Sequence, residues 1–155
     1  FDFHNKVKSI AEKNNIKFSL EKITKDELLL QKEKGVDLIF CAGYAYRIPV
    51  ECVPDVKAVN VHPSMLPNGR GPWPLPWVIL NDEKTTGVTI HKLNERFDEG
   101  DIIIQRSFPV SEKENYFSLE AKMMDVSREL TKELFENFDF LYSVKANTLL
   151  NPATI

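Results

Sequence analysis

An apolar run between two glycines is the feature that most constrains the fold of this chain. The run Val36–Ala42 holds a single charged side chain, and Gly35 and Gly43 stand at its ends. A short, nearly continuous apolar run is typical of a strand that is buried on both faces in a parallel sheet. Parallel strands need long crossover connections, which are usually helices. The run therefore favours an α/β domain.

Helix and strand patterns alternate around this run. In chain order, the first half predicts a helix over residues 4–14, a strand over Ile16–Leu20, a helix from the capping box Thr24–Glu27 to Gly35, the strand Val36–Ala42, a helical start at Pro49 and a strand over Lys57–His62. This alternation predicts an α/β fold with a doubly wound, mostly parallel, Rossmann-like sheet. Neither a linker nor a repeat interrupts the chain, so we expect residues 1–155 to form one domain.

A proline-rich segment opens the second half. Met65–Trp77 contains four prolines within ten residues, which excludes a regular helix or a central strand. We expect a stiff loop that walls a cleft beside the preceding strand, or alternatively a plain connector. The remaining pattern predicts a helix over Trp77–Leu80, a strand over Thr85–His91, a further strand over Ile102–Ile104 and Phe108–Val110, a long amphipathic helix from Tyr116 to about Leu141 and an irregular tail to Ile155.

Two polar side chains mark the end of the strand before that loop. Asn60 and His62 are two residues apart, so a strand points both to one face, and Pro63 then ends the ladder. In open α/β sheets, ligands bind at the carboxyl edge of the strands. An imidazole exchanges protons near neutral pH, and an amide N–H stabilises a developing oxyanion. The pair suits nucleophilic attack on a carbonyl; alternatively, Asn60 only ends the strand and His62 is a surface histidine.

The composition argues against two classes of protein, those that bind nucleic acid through a basic surface and those that span a membrane. The formal net charge of −3 and the isoelectric point of about 5.7 give no basic footprint for nucleic acid. No apolar run approaches the ~20 residues of a membrane span, so we expect no membrane partner. Cys41 and Cys52 lie in apolar surroundings and are expected to be reduced thiols of a cytoplasmic protein. The chain begins at Phe1 without a signal peptide, and we expect further residues to precede it.

Four stretches then combine into one ordered pattern. They are Asn60–Ser64, the loop Leu66–Pro72, Gly87–His91 and Phe97–Ile103. Their order resembles the 10-formyltetrahydrofolate-dependent formyltransferase family, with its N-x-H-P-S-L-L-P, G-V-T-x-H and D-x-G-x-I-I motifs; Met65 replaces the first leucine. The family includes glycinamide ribonucleotide formyltransferases, the catalytic domain of methionyl-tRNA formyltransferases and sugar-amine N-formyltransferases. The resemblance covers roughly residues 36–135.

The resemblance implies a catalytic triad of Asn60, His62 and Asp98. Asn60 would donate to the oxyanion, and whether His62 or Asp98 takes the proton stays open. His91 is expected to be structural rather than catalytic, and no metal is implied. The resemblance also implies that 10-formyltetrahydrofolate lies between Tyr44–Pro49 and Asn94–Asp98. The implied contacts to the folate are Tyr46, Arg47, Ile48, Glu95 and Phe97, and those to the acceptor are Ser64, Arg70 and Gly71.

The implied activity is transfer of a formyl group to the amine of an aminoacyl-tRNA of the methionyl-tRNA type or of a related small molecule. Four alternatives stay open: a glycinamide ribonucleotide acceptor, an amino-sugar acceptor, hydrolysis to formate and an inactive folate-binding module. The oligomeric state is open as well. The family's first strands would precede residue 4, so we expect an N-terminally incomplete sheet. The family's C-terminal nucleic-acid-binding domain is also missing from the sequence, which weighs against the tRNA acceptor.

Overall fold

A computed structural model gives the structure of residues 2–144. The elements are α1 (Asp2–Lys13), α2 (Lys25–Glu33), β1 (Leu38–Ala42), a 3₁₀ turn (Val50–Cys52), β2 (Lys57–His62), α3 (Pro74–Leu80), β3 (Thr85–Lys92), β4 (Ile102–Pro109), α4 (Tyr116–Glu136) and α5 (Phe138–Ser143). The predicted irregular tail lies, beyond residue 144, outside the described residues.

The four strands form one mixed sheet in the order β1-β2-β3-β4. β1 and β2 are parallel, whereas the β2–β3 and β3–β4 pairs are antiparallel. The α/β class is confirmed, but the expectation of a mostly parallel sheet is wrong for these strands. The segment 93–101 joins β3 to β4 without a helix, and so short a connection cannot bring the chain back for a parallel pairing.

Helices cover both faces of the sheet, as a doubly wound arrangement requires. Ala58 and Val59 are neighbours on β2 and therefore point to opposite faces. On the Val59 face, α4 packs its predicted apolar stripe against β3, and the buried stripe residues are Leu119, Met123, Leu130 and Leu134. On the Ala58 face, Leu28 of α2, Val50 of the 3₁₀ turn and Val53, which directly follows the turn, form a second core. Asn60 and His62 continue the Ala58 face.

Two predicted strands differ from the structure. Ile16–Leu20 is irregular: Ile16 and Leu20 are exposed, and no strand of the described sheet pairs with this segment. β1 is not buried on both faces, because it is the outer strand of the described sheet and Phe40 is 37% exposed. Phe40 instead packs against Phe135 of α4, with ring centroids 5.4 Å apart. Alternation and apolar content alone do not show whether a neighbouring strand is present.

The helix boundaries also differ from the predicted ones. α3 begins at Pro74 rather than Trp77, since a proline at the start of a helix gives up only an unused N–H. The chain after Pro49 makes only a 3₁₀ turn. The long C-terminal helix is interrupted at Asn137, whose side-chain amide donates to Glu133 O. Asparagine side chains compete for backbone groups in this way and favour helix ends.

Candidate active site

β2 brings Asn60 and His62 to one face at its carboxyl end, as the spacing predicted. His62 is only 5% exposed, so the alternative of a surface histidine is wrong. Asn60 is half-buried and pairs in register with Cys41 of β1 and His91 of β3. The site therefore lies within the sheet, where neighbouring strands hold each side chain.

The loop after β2 folds back over the imidazole. His62 Nε2 lies 2.8 Å from the carbonyl oxygen of Gly69. A carbonyl oxygen only accepts, so Nε2 carries the hydrogen and Nδ1 is left to accept a proton. Gly69 has φ +68, and a Cβ there would lie 2.8 Å from Ser64 Cβ. Glycine thus allows the close approach that puts this carbonyl against the ring.

Asp98 reaches the other side of the ring from the β3–β4 connection. Its Oδ1 lies 3.4 Å from His62 Nδ1, and its Oδ2 accepts the Gly71 N–H at 2.9 Å. Burial of the carboxylate acts to raise the pKa of Asp98, but contact with His91, the Gly71 hydrogen bond and electrostatic interaction with the two imidazole rings outweigh burial and lower it. The carboxylate is therefore ionised at neutral pH.

His91 completes the cluster, and its place is more central than the sequence indicated. Its Nδ1 donates to Lys92 O at 2.8 Å, so Nε2 accepts from Asn60 Nδ2 at 3.1 Å. The same Nε2 lies 3.6 Å from Asp98 Oδ1. The ring is 1% exposed, which accords with the expected structural role, but it contacts two of the three predicted triad residues. The period-2 alternation that puts Thr89 and His91 on one face of β3 was the available signal.

Asn60, His62 and Asp98 line a cavity of about 650 Å³ at the carboxyl ends of β1 and β2. Its walls come from residues 43–48 after β1, the end of β2, the proline-rich loop and the β3–β4 connection. The two segments predicted to enclose a folate, Tyr44–Pro49 and Asn94–Asp98, both contribute to this wall, and the expected cleft wall from the proline-rich loop is confirmed by Gly71, Pro72 and Trp73. The proposed contacts Tyr46, Arg47, Ile48, Phe97 and Gly71 all line the cavity.

Three predicted contact residues lie off the cavity wall. Glu95 is exposed, and its carbonyl accepts from Arg47 Nε at 3.0 Å. Ser64 is 3% exposed, and its hydroxyl donates to Asn68 O. Arg70 donates to the backbone oxygen of Asp98 at 3.1 Å. In the structure, the side chains of Ser64 and Arg70 and the backbone carbonyl of Glu95 support loops around the cavity.

Sequence reasoning missed two wall residues, Cys41 and Leu93. Burial raises the pKa of the Cys41 thiol. Isolated residues of these types carry no pattern that marks them as cavity walls. Within residues 2–144, no three His, Cys, Asp or Glu side chains are grouped so that they could hold a metal ion. None of the helices in this described part combines the length and hydropathy that crossing a bilayer requires.

Comparison with known proteins agrees with this geometry. The family model described as formyl transferase matches residues 4–134, which is most of the chain. The chain belongs to the formyl transferase family. The resemblance drawn from the ordered motifs is thereby confirmed at the level of the family.

Several known proteins are similar to most of this chain. The methionyl-tRNA formyltransferase of Ehrlichia chaffeensis is 37% identical over 149 residues, covering 94% of this chain and 48% of that protein. Phosphoribosylglycinamide formyltransferase from Bacillus halodurans superposes with a TM-score of 0.64 at 30% identity, covering 84% of this chain and 63% of that one. HypX from Aquifex aeolicus, solved in complex with tetrahydrofolic acid, gives a TM-score of 0.64 at 30% identity over 76% of this chain and 21% of that one. The chain spans about half the length of the curated relatives it matches.

Proposed function

We propose that this chain is the catalytic domain of an enzyme that transfers a formyl group from 10-formyltetrahydrofolate to the primary amine of an aminoacyl-tRNA of the methionyl-tRNA type. One observation carries the proposal: Asn60, His62 and Asp98 meet at a single cavity, with Asp98 Oδ1 3.4 Å from His62 Nδ1. The family membership supports the same chemistry.

Asn60 is the group that stabilises charge on the formyl oxygen. One N–H of its amide is directed at His91 Nε2, which orients the side chain. A carboxamide has a second N–H, and Asn60 lines the cavity. That N–H donates to the oxygen as the amine attacks the formyl carbon, and a fixed donor of this kind needs no reorganisation during the reaction.

His62 accepts the proton that the attacking amine loses, with Asp98 as its partner. Gly69 O holds the hydrogen on Nε2, so Nδ1 is the accepting nitrogen. The lowered pKa of Asp98 makes its carboxylate a weak base, and an imidazole is the better acceptor at neutral pH. Asp98 then stabilises the imidazolium by charge, and His62 gives the proton through water to the leaving amine.

The cavity fits a folate in size and in the nature of its walls. Small-molecule sites commonly enclose roughly 300–1,000 Å³ between apolar walls with a few polar groups, and this cavity measures about 650 Å³. Tyr46, Ile48 and Phe97 supply apolar surface, and the triad lines the same cavity. A bound 10-formyltetrahydrofolate supplies the formyl group and the amine that leaves. The tetrahydrofolic acid complex of HypX supports this choice.

The names of the curated relatives favour the aminoacyl-tRNA acceptor. Two relatives, from Ehrlichia chaffeensis and Ehrlichia canis, are both named methionyl-tRNA formyltransferase and are each 37% identical over more than nine tenths of this chain. The solved phosphoribosylglycinamide formyltransferase supports the same transfer to a different amine at 30% identity. A nucleotide amine is therefore the second candidate acceptor.

The test measures release of tetrahydrofolate by the whole protein that carries this chain. Methionyl-tRNA, glycinamide ribonucleotide and a nucleotide-linked amino sugar are offered separately, and mass spectrometry identifies the formylated product. We expect turnover with methionyl-tRNA only. Asn60→Ala should lower kcat by about 10²–10³-fold, the usual cost of losing an oxyanion donor, whereas Asn5→Ala on the exposed surface of α1 should leave it unchanged.

Each alternative has its own result. Turnover with another amine reassigns the acceptor. Formate released without any amine indicates a hydrolase. Folate binding without turnover indicates a binding module, and this outcome or an active Asn60→Ala variant would overturn the proposed chemistry.

A further inference from the structure

We propose that Thr89 and Gln105 are positioning residues that shape the loop after β2, so that Gly69 O faces His62 Nε2 and sets which ring nitrogen carries the hydrogen. The catalytic consequence rests on the proposed function, whereas the effect on the ring does not. Neither residue lines the cavity.

Thr89 is the centre of this arrangement. It lies in β3 and is fully buried. Its hydroxyl donates to Ser64 O at 2.7 Å and accepts from Leu66 N at 3.1 Å and from Gln105 Nε2 at 2.8 Å. A hydroxyl has one hydrogen and two lone pairs, so every hydrogen-bonding position of this side chain is used.

Gln105 completes the hold on the same loop from β4. Its amide nitrogen also lies 2.7 Å from Leu66 O. Both backbone groups of Leu66 and the carbonyl of Ser64 are therefore bound to side chains of the sheet. The strands fix the loop on both sides of Met65.

Local bonds carry this constraint from Ser64 to Gly69. Ser64 N–H donates to His62 O at 2.9 Å, and Ser64 Oγ donates to Asn68 O at 2.7 Å. Asn68 N–H donates to Met65 O at 3.0 Å and closes the turn. A Cβ added at Gly69 would lie 2.8 Å from Ser64 Cβ, so the backbone of Gly69 lies close against Ser64.

The position of Gly69 O decides the tautomer of His62. The hydrogen bond made by one ring nitrogen determines which nitrogen carries the hydrogen. With Gly69 O at 2.8 Å from Nε2, Nδ1 is free to accept a proton beside Asp98. If the carbonyl withdraws, the hydrogen moves to Nδ1, where the carboxylate accepts it. The ring then presents no accepting nitrogen at Asp98.

The test compares Thr89→Val, which removes the hydroxyl at nearly constant shape, with Thr89→Ser, which keeps it. Nitrogen-15 NMR of the His62 ring in the whole protein reports the tautomer, and steady-state kinetics separates kcat from KM. Thr86→Val, at the other buried threonine of β3, is the matched control. Circular dichroism checks that each variant is folded.

We expect Thr89→Val to move hydrogen from Nε2 to Nδ1 and to lower kcat by about 10²-fold, the scale of a 1 Å misplacement, with the KM for folate nearly unchanged. Thr89→Ser should restore both properties, and Thr86→Val should change neither. If Thr89→Val does not fold, Gln105→Met provides the same comparison. A folded Thr89→Val or Gln105→Met variant that retains the wild-type tautomer overturns the proposal.

The two proposals fail separately. A shifted tautomer in a protein that transfers no formyl group keeps the positioning role and refutes the proposed function. Normal formyl transfer by the wild type, with an unshifted tautomer in the variants, supports the proposed function and refutes the positioning role.

Discussion

Asp98→Asn is the substitution that isolates the charge of the carboxylate. Asparagine has nearly the same shape, and its side-chain oxygen still accepts the Gly71 N–H. Asp98 has φ +54, a left-handed conformation that asparagine tolerates well and alanine does not. The variant should therefore keep the backbone of the β3–β4 connection and lose only the negative charge beside His62.

The geometry sets the size of the effect. Two unit charges at the 3.4 Å that separates His62 Nδ1 from Asp98 Oδ1 attract by about 5 kcal/mol at an effective dielectric constant of about 20. At about 1.36 kcal/mol per tenfold change in rate, this corresponds to an upper limit of 10³–10⁴-fold. The amide dipole and water replace part of the lost attraction. We expect kcat to fall about 10³-fold, within the ~10²–10⁴-fold range of acid–base catalysis, and KM to change little.

The assay is tetrahydrofolate release at saturating folate and acceptor, with Glu99→Gln as the control. Glu99 carries the same charge in the same connection, but it is exposed and pairs with Arg70 and Arg96. Glu99→Gln should keep kcat within about twofold of the wild-type value, because exposed ion pairs contribute little free energy. A folded Asp98→Asn variant with more than a tenth of the wild-type kcat would refute the role of the carboxylate.

Three further measurements test other parts of the structure. Folding lowers the pKa of Asp98, so the ionised carboxylate stabilises the folded state. Above the unfolded pKa of about 3.9, the free energy of unfolding should therefore be larger for the wild type than for Asp98→Asn. Urea titrations should show that this difference in free energy disappears as the pH falls through the lower pKa of the folded state. Gly100→Ala would put its Cβ 1.7 Å from a carbonyl oxygen of β3 and should lower the free energy of unfolding by about 3 kcal/mol. Gly35→Ala, in open space at φ +89, should cost only about 1–2 kcal/mol in the same denaturation assay. Tryptophan emission should respond to a tetrahydrofolate analogue in the wild type and in Trp77→Phe but not in Trp73→Phe, because only Trp73 lines the cavity.

Local patterns predicted the parts of the structure that local physics determines. The two-residue spacing was enough to put Asn60 and His62 on one face of β2, and the apolar stripe of α4 was enough to identify core. The prolines after Met65 were enough to predict a shaped loop at the cleft, which holds Pro67 and Pro72, although Pro74 and Pro76 instead lie in α3. In each case, side-chain direction or backbone restriction follows from a few neighbouring residues.

Long-range pairing explains what the patterns missed. Asp98 lies beside His62 because β3 runs antiparallel to β2 and the connection after β3 returns to the end of β2. The sequence of residues 93–101 alone does not predict either property. The central place of His91 depends on its register opposite Asn60. The exposed face of β1 depends on which strands surround it. The motif resemblance identified Asp98, since the family carries information on pairing that a single sequence does not display.

The register between β2 and β3 links the formation of the sheet to the formation of the candidate active site. A shift of one residue would turn Asn60 and His62 towards α4 and expose valines to the cavity. A misaligned molecule would thus lose its core packing and its reactive groups in the same event. During refolding, the protection of buried β2 amides against hydrogen exchange and the return of catalytic turnover should follow one time course.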